Sequence, residues 1–262
     1  MNPWCRVDWG GRPHYAELQG EMLTILDGSP LEGGKRTATT LVPSEARLLE
    51  PVVPPNFYAA GLNFRDHIDW ANREFNKSMG VPSQADIGQR SVAALTGHDS
   101  EVIVPADAKG PLHFEGELVA VIGRRARHLS EDEALGCVAG YTLGNDVSER
   151  NWQFNDRTMW RGKNADTFKP MGPFVVSGID PMNQDIEVRI NGETASVYNT
   201  SKMVFGVAHY ISRMSQYVTL HPGDVIWFGC DGPTVPALKD GDVVEVICSA
   251  IGTLRNPIRW LS

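Results

Sequence analysis

No two cysteines in this sequence are spaced to grip a metal or to cycle as a redox couple. Cys5, Cys137, Cys230 and Cys248 are scattered and form no Cys-x-x-Cys pair. They read as reduced thiols of a cytoplasmic protein. Positive charge is short as well: 24 lysines and arginines face 32 aspartates and glutamates, a net charge of −8 with no basic cluster. Nucleic acid and anionic membrane are therefore poor partners. Nowhere do about 18 apolar residues run together, and the N-terminus has no basic segment leading into an apolar one, so neither export nor membrane insertion is expected. Internal repeats and low-complexity tracts are missing. What is plentiful is turn chemistry. The 262 residues include 26 glycines and 17 prolines, which excludes a helix bundle and favours short strands. That length builds a sizeable core without disulfides.

The pattern predicts an α+β, mostly β chain in two parts. Residues 4–9, 14–19 and 21–26 read as strands separated by Gly10-Gly11 and Gly20, giving a small β-rich N-terminal domain over residues 1–52. The proline-punctuated stretch 49–55 is extended, because proline pushes its predecessor out of the helical region; a second domain then spans residues 53–262. There the spacing predicts a buried strand at 57–62, a short helix at 66–75 and a polar segment at 76–89, broken at Gly80, Pro82 and Gly88, as a candidate lid. Further strands are expected at 101–104, 113–122, 140–144, 174–177, 186–190, 224–229 and 243–251, with helices at 131–137, 147–153 and 204–214.

The stretch 113–123 carries the strongest chemical signal. On a strand, side chains alternate, so Glu115 and Glu117 share a face with His113 while the residues from Leu118 onward run into a covered sheet. Two carboxylates roughly 6.5 Å apart at an effective dielectric near 20 repel by about 2.5 kcal/mol. A proton or a cation between them relieves that conflict. The plainer alternative is an exposed edge, where water screens both charges. Asp146 is a third carboxylate at a strand-to-helix junction; it reads either as a side chain reaching a site mouth or as an N-cap, with Glu149 three residues on completing a capping box. Three carboxylates with no cysteine suit magnesium, manganese or calcium rather than zinc.

A series of motifs then carries a resemblance: Gly61-Leu62-Asn63-Phe64-Arg65-Asp66-His67, His113-Phe114-Glu115-Gly116-Glu117-Leu118, Gly140-Tyr141-Thr142-Leu143-Gly144-Asn145-Asp146-Val147-Ser148-Glu149-Arg150, and Arg161-Gly162-Lys163-Asn164-Ala165-Asp166-Thr167-Phe168 with Pro170-Met171-Gly172-Pro173. In order and separation these resemble the fumarylacetoacetate hydrolase family over about residues 57–258, the first fifty residues being similar to the variable N-terminal domain of such proteins. The resemblance implies a mixed β-sandwich roll that binds Mg2+ (or Mn2+ or Ca2+) through Glu115, Glu117 and Asp146, and a homodimer. It places Lys163, by itself an ordinary surface lysine, against a substrate carboxylate or oxyanion, and Gln153 and Thr167 at positions contacting substrate or the metal surroundings.

His67 falls on the lid histidine that activates water in the hydrolases. The residue three along, where its carboxylate helper is usual, is Trp70; Glu74, seven along, returns to the same helix face as a substitute. Arg90 stands where many members carry lysine, and Cys230 puts a thiol where they show a threonine hydroxyl; both are taken as substrate-side residues. The expected function is metal-dependent hydrolysis of a carbon–carbon bond in an acylpyruvate-like or other β-diketo acid in aromatic catabolism. The alternative is a decarboxylase or keto–enol isomerase of a 2-oxo diacid of oxaloacetate or hydroxymuconate type. A third possibility is a non-catalytic binding protein that retains the fold.

Overall fold

Gly10 and Gly11 both have positive φ and close the hairpin of Trp4–Trp9 with Arg12–Gln19. Two successive left-handed residues give the turn whose twist matches the strands it joins. In a computed structural model that describes residues 2–233 and 237–262, this hairpin continues through Met22–Leu26 to an edge strand, Arg36–Leu41. Cys5, Val7, Ala16, Leu23 and Ile25 form a small apolar cluster of their own there. Trp4 pairs with Val175 and so joins these strands to Lys169–Val176. The same sheet runs on through Val138–Asn145, Gly116–Ile122, Val225–Trp227 and Phe57–Ala60 to Ile87–Gln89.

A second sheet holds Glu193–Asn199, Asp185–Ile190, Val243–Cys248, Gly252–Trp260 and Val102–Val104. Leu118, Ala120, Ile122 and Leu143 of the first sheet cluster with Val188, Val246, Leu254 and Ile258 of the second. On the other face, Val119 and Val121 pack with Trp4, Phe57 and Trp227. Strand Gly116–Ile122 is thus covered on both sides, each buried aliphatic side chain contributing roughly 1.5–3 kcal/mol. Gly116 marks the closest approach of the sheets: a Cβ there would meet Val188 Cγ2 at 2.6 Å. A glycine between the two glutamates is what lets the second sheet pack against the site.

The architecture is α+β and mostly β, as expected. The strand expected at 113–122 is two strands, Leu112–His113 and Gly116–Ile122, because the chain changes partner between them: the first pairs with Ser148–Glu149 and the second with Val138–Asn145. The helix expected at 147–153 begins only at Arg150, since Ser148 and Glu149 are held in that short pairing. The last residues of the candidate lid, Ile87–Gln89, belong to the sheet. The strand expected at 243–251 ends at Cys248, and the chain turns through Gly252, at φ +119°, into the strand that follows. Strands Arg36–Leu41 and Glu193–Asn199 and helix Trp160–Asn164 were not anticipated.

Candidate active site

Glu115 sits in the break between the two strands, its N–H donating to Asn145 Oδ1 (3.0 Å) and its carbonyl accepting from Asp146 N (2.8 Å). That pairing brings Asp146 beside the glutamates. Glu115, Glu117 and Asp146 are all buried, and each offers an oxygen within 4.8 Å of the others. The exposed-edge alternative is thereby removed. So is the capping role of Asp146: Glu149 caps the helix instead, accepting from Trp152 N at 2.6 Å.

Four basic side chains surround the cluster. Lys163 Nζ donates to Glu115 Oε2 at 2.8 Å and to Asp146 Oδ2 at 3.0 Å. Arg150 Nη1 donates to Glu115 Oε1 at 2.8 Å, Arg90 Nη2 to Asp146 Oδ2 at 2.9 Å, and Lys169 Nζ reaches Asp146 Oδ1 at 2.7 Å. Burial alone would raise the Glu115 carboxyl, yet Lys163 and then Arg150 hold it down at about 2. Burial works in the same direction on Asp146, where Arg90, Lys163 and Lys169 prevail and keep it well below the usual carboxylate range. Lys169 is pushed down to about 7 by burial, against the pull of Asp146.

Glu117 is different. Its Oε2 accepts from Gly229 N at 2.7 Å, and among the described residues no basic side chain lies within ion-pair distance of it. Burial, then Asp146, then Glu115, push its carboxyl well above the usual range. A buried carboxylate left without a counter-charge beside two others takes up a proton or can be relieved by a divalent cation, and the three carboxylates here offer the hard oxygens that magnesium, manganese or calcium prefer. The residues present fit such an ion.

His67 reaches the cluster from helix Arg65–Glu74. Its Nδ1 lies 3.2 Å from the Cys230 carbonyl, which can only accept, so Nδ1 carries the proton and Nε2 presents a lone pair 3.9 Å from Glu115 Oε1. Burial lowers its pKa to about 4, with Glu115 opposing, so the ring is neutral at pH 7. A cavity of about 180 Å³ is lined by His67, Arg90, Glu115, Glu117, Gln153 and Lys163, with Met159 at its wall. Gln153 Oε1 accepts from Arg150 Nη1 at 2.7 Å. Cys230 contributes its carbonyl to His67, while its Sγ stands 3.8 Å from Nδ1.

Two expected residues lie elsewhere. Glu74 is exposed on the last turn of the helix; seven residues carry it about 10 Å along the axis, on the right face but out of reach. The carboxylate facing His67 is Glu115. Thr167 accepts from Ile103 N at 2.7 Å and lines a separate hollow with Trp152 and Trp160. That hollow, about 420 Å³, is larger; Asp107 and Asp166 line it, but among the described residues the group of three converging carboxylates is at Glu115, Glu117 and Asp146.

Sequence reasoning gave no role to Arg150, Lys169 or His113. Arg150 Nε donates to His113 Nδ1 at 3.2 Å, and its guanidinium lies 5.3 Å from the Trp70 ring. Trp70, standing where a helper carboxylate was sought, packs edge-on against His67 and His113. The usable signal for Lys169 was a charge opening the otherwise apolar run 168–176.

The family model for the fumarylacetoacetate (FAA) hydrolase C-terminal domain matches residues 56–259, and one described as Rv2993c-like, N-terminal, matches residues 4–51. The 2,4-didehydro-3-deoxy-L-rhamnonate hydrolase of Sphingomonas sp. is 37% identical over 250 residues, covering 90% of this chain and 85% of that protein. The mitochondrial oxaloacetate tautomerase FAHD2A of Bos taurus is 35% identical, over 86% of this chain and 74% of its own. Among solved structures, a 2-hydroxyhepta-2,4-diene-1,7-dioate isomerase from Mycobacterium marinum is similar with a TM-score of 0.88 at 30% identity over 99% of both chains.

Proposed function

Since the chain belongs to the fumarylacetoacetate hydrolase family, we propose that it is a divalent-metal-dependent keto–enol isomerase of a 2-oxo diacid of oxaloacetate or hydroxymuconate type. One observation carries this reading. His67 is a neutral base whose Nε2 faces the acidic cluster, and the helper position three residues on holds Trp70. Among the described residues, the only carboxylate facing the ring is Glu115, and it is already engaged by Arg150 and Lys163. The base can take a proton from carbon, but it lacks a free carboxylate to hold a water for attack. Similarity to an oxaloacetate tautomerase and to a heptadienedioate isomerase supports the same choice.

Glu115, Glu117 and Asp146 would hold Mg2+, Mn2+ or Ca2+, which supplies Lewis-acid polarisation of a 2-oxo acid oxygen. His67 Nε2 accepts the proton from the carbon next to the keto group and returns it to oxygen, a general-base step contributing on the order of 10² to 10⁴ in rate. Lys163, freed from Asp146, donates to the growing oxyanion, and the Gln153 amide orients it. Arg90, lining the cavity, pairs with the second carboxylate of the diacid. Glu74 and Thr167 take no part.

Hydrolysis of an acylpyruvate-like substrate is the second reading, supported by similarity to the Sphingomonas hydrolase. Proton NMR of oxaloacetate in D2O with added Mg2+ separates these chemistries. Accelerated enol–keto exchange without fragments is expected; pyruvate alone would mean decarboxylation, and no acceleration removes the reading for this substrate class. For acylpyruvates, ¹⁸O from labelled water entering a cleaved acid would establish hydrolysis instead. The four buried thiols suit a reducing compartment such as the cytoplasm. Exposed Phe154 and Trp160 suit a homodimer, for which sedimentation at twice 28.8 kDa is the check.

A further inference from the structure

Asp146 uses its two oxygens differently. Oδ2 receives Arg90 at 2.9 Å and Lys163 at 3.0 Å, and both of these side chains line the cavity. Oδ1 receives Lys169 at 2.7 Å from behind, with only a long approach of Arg90 Nε at 3.4 Å besides. The Lys169 ammonium is wholly buried, and its other two protons go to the carbonyls of Val147 (2.8 Å) and Phe168 (2.9 Å). Its three donors are thus directed at three fixed acceptors. Arg90 and Lys163 can turn into the cavity when a cation arrives at Oδ2; Lys169 has no such space.

We propose that Lys169 sets which divalent ion the acidic cluster prefers, by occupying Asp146 Oδ1 and restricting this carboxylate to a single coordinating oxygen. The inference rests on the reading that Glu115, Glu117 and Asp146 hold such an ion. Magnesium takes six ligands at short distance in a near-octahedral array and is served by single carboxylate oxygens. Calcium takes six to eight oxygens at longer distance and commonly uses both oxygens of one carboxylate. A lysine locked on Oδ1 denies calcium that second oxygen and costs magnesium nothing in geometry. Lys169 touches neither the cavity nor the reacting atoms, so it is a positioning and selectivity residue.

Calorimetric titration of Mg2+ and Ca2+ into the wild-type protein, Lys169→Met and Lys169→Gln tests this. Wild type is expected to bind Mg2+ at least as tightly as Ca2+. In Lys169→Met the ratio of Ca2+ to Mg2+ affinity is expected to rise about tenfold as the carboxylate becomes free to bind bidentately, with Lys169→Gln between the two. Loss of a positive charge alone tightens both ions by the same factor, so variants that bind both more tightly at an unchanged ratio overturn the proposal. If neither variant folds, the wild-type protein still decides: Ca2+ bound more tightly than Mg2+ contradicts it. Wild type that binds neither ion removes the metal reading itself, whereas wild type that binds Mg2+ beside an unmoved ratio in the variants removes only the role of Lys169.

Discussion

His67 works by staying uncharged. Burial brings its pKa to about 4 from the ordinary 6.5, so the base form is present across the neutral range. The acid limb of kcat/KM is therefore expected near pH 4, and a limb near 6.5 would mean that the ring is not held as described. Stability follows the same sign. The unfolded chain takes up the His67 proton below about 6.5 and the folded protein only near 4, so this contribution is present above pH 6.5 and lost as pH falls through 4. Glu115, held at about 2, adds a loss on further acidification, below the ordinary range of a free glutamate. Both residues, with Glu117, Lys163, Gln153 and Arg90, come from separated stretches of the sequence and line one cavity, with Asp146 brought beside the two glutamates. Periodicity chose Glu74 because it registers a helix face and not the distance along the axis. Thr167, which the resemblance placed at the site, lies away from it for another reason: its hydroxyl is taken by a backbone N–H from a strand more than sixty residues away.

At the scale of the element, the turn 229–232 joins the base to the acidic cluster. Gly229, at φ +82°, gives its N–H to Glu117; Cys230 gives its carbonyl to His67; and Gly232, at φ +96°, lies so close that a Cβ would meet His67 Cα at 3.2 Å. Gly232→Ala is expected to cost roughly 1–3 kcal/mol of stability from its left-handed backbone and to lower kcat by displacing the imidazole. Metal affinity should be retained, because Gly229 and its bond to Glu117 are untouched. Equal loss of metal binding and turnover would contradict this division. Elements of this kind were only partly legible. Strand Gly116–Ile122 is apolar on both faces and shows no alternation to read beyond Glu117. The change of pairing partner at Phe114-Glu115, which turns Glu115 toward Asp146, depends on Asn145 thirty residues on and leaves no local trace.

Across the whole molecule, the two sheets meet over Gly116 and close the cavity on one side, while helices Arg65–Glu74, Arg150–Asn155 and Trp160–Asn164 bring the base, Gln153 and Lys163 to the other. The abundance of glycine and proline made a mostly β architecture readable. The long-range order of the strands was not readable in this way, since parallel pairing of Val225–Trp227 with Phe57–Ala60 spans most of the chain. What this architecture achieves is to bury three carboxylates together with one of them, Glu117, left without a cationic partner among the described residues. The most direct test is a calorimetric titration of Mn2+ into the wild-type protein and into the combined Glu115→Gln, Glu117→Gln, Asp146→Asn variant, with folding of each verified by circular dichroism. One saturable site in the wild type that disappears in the folded variant is the predicted result; a folded variant binding Mn2+ with wild-type affinity would contradict the account.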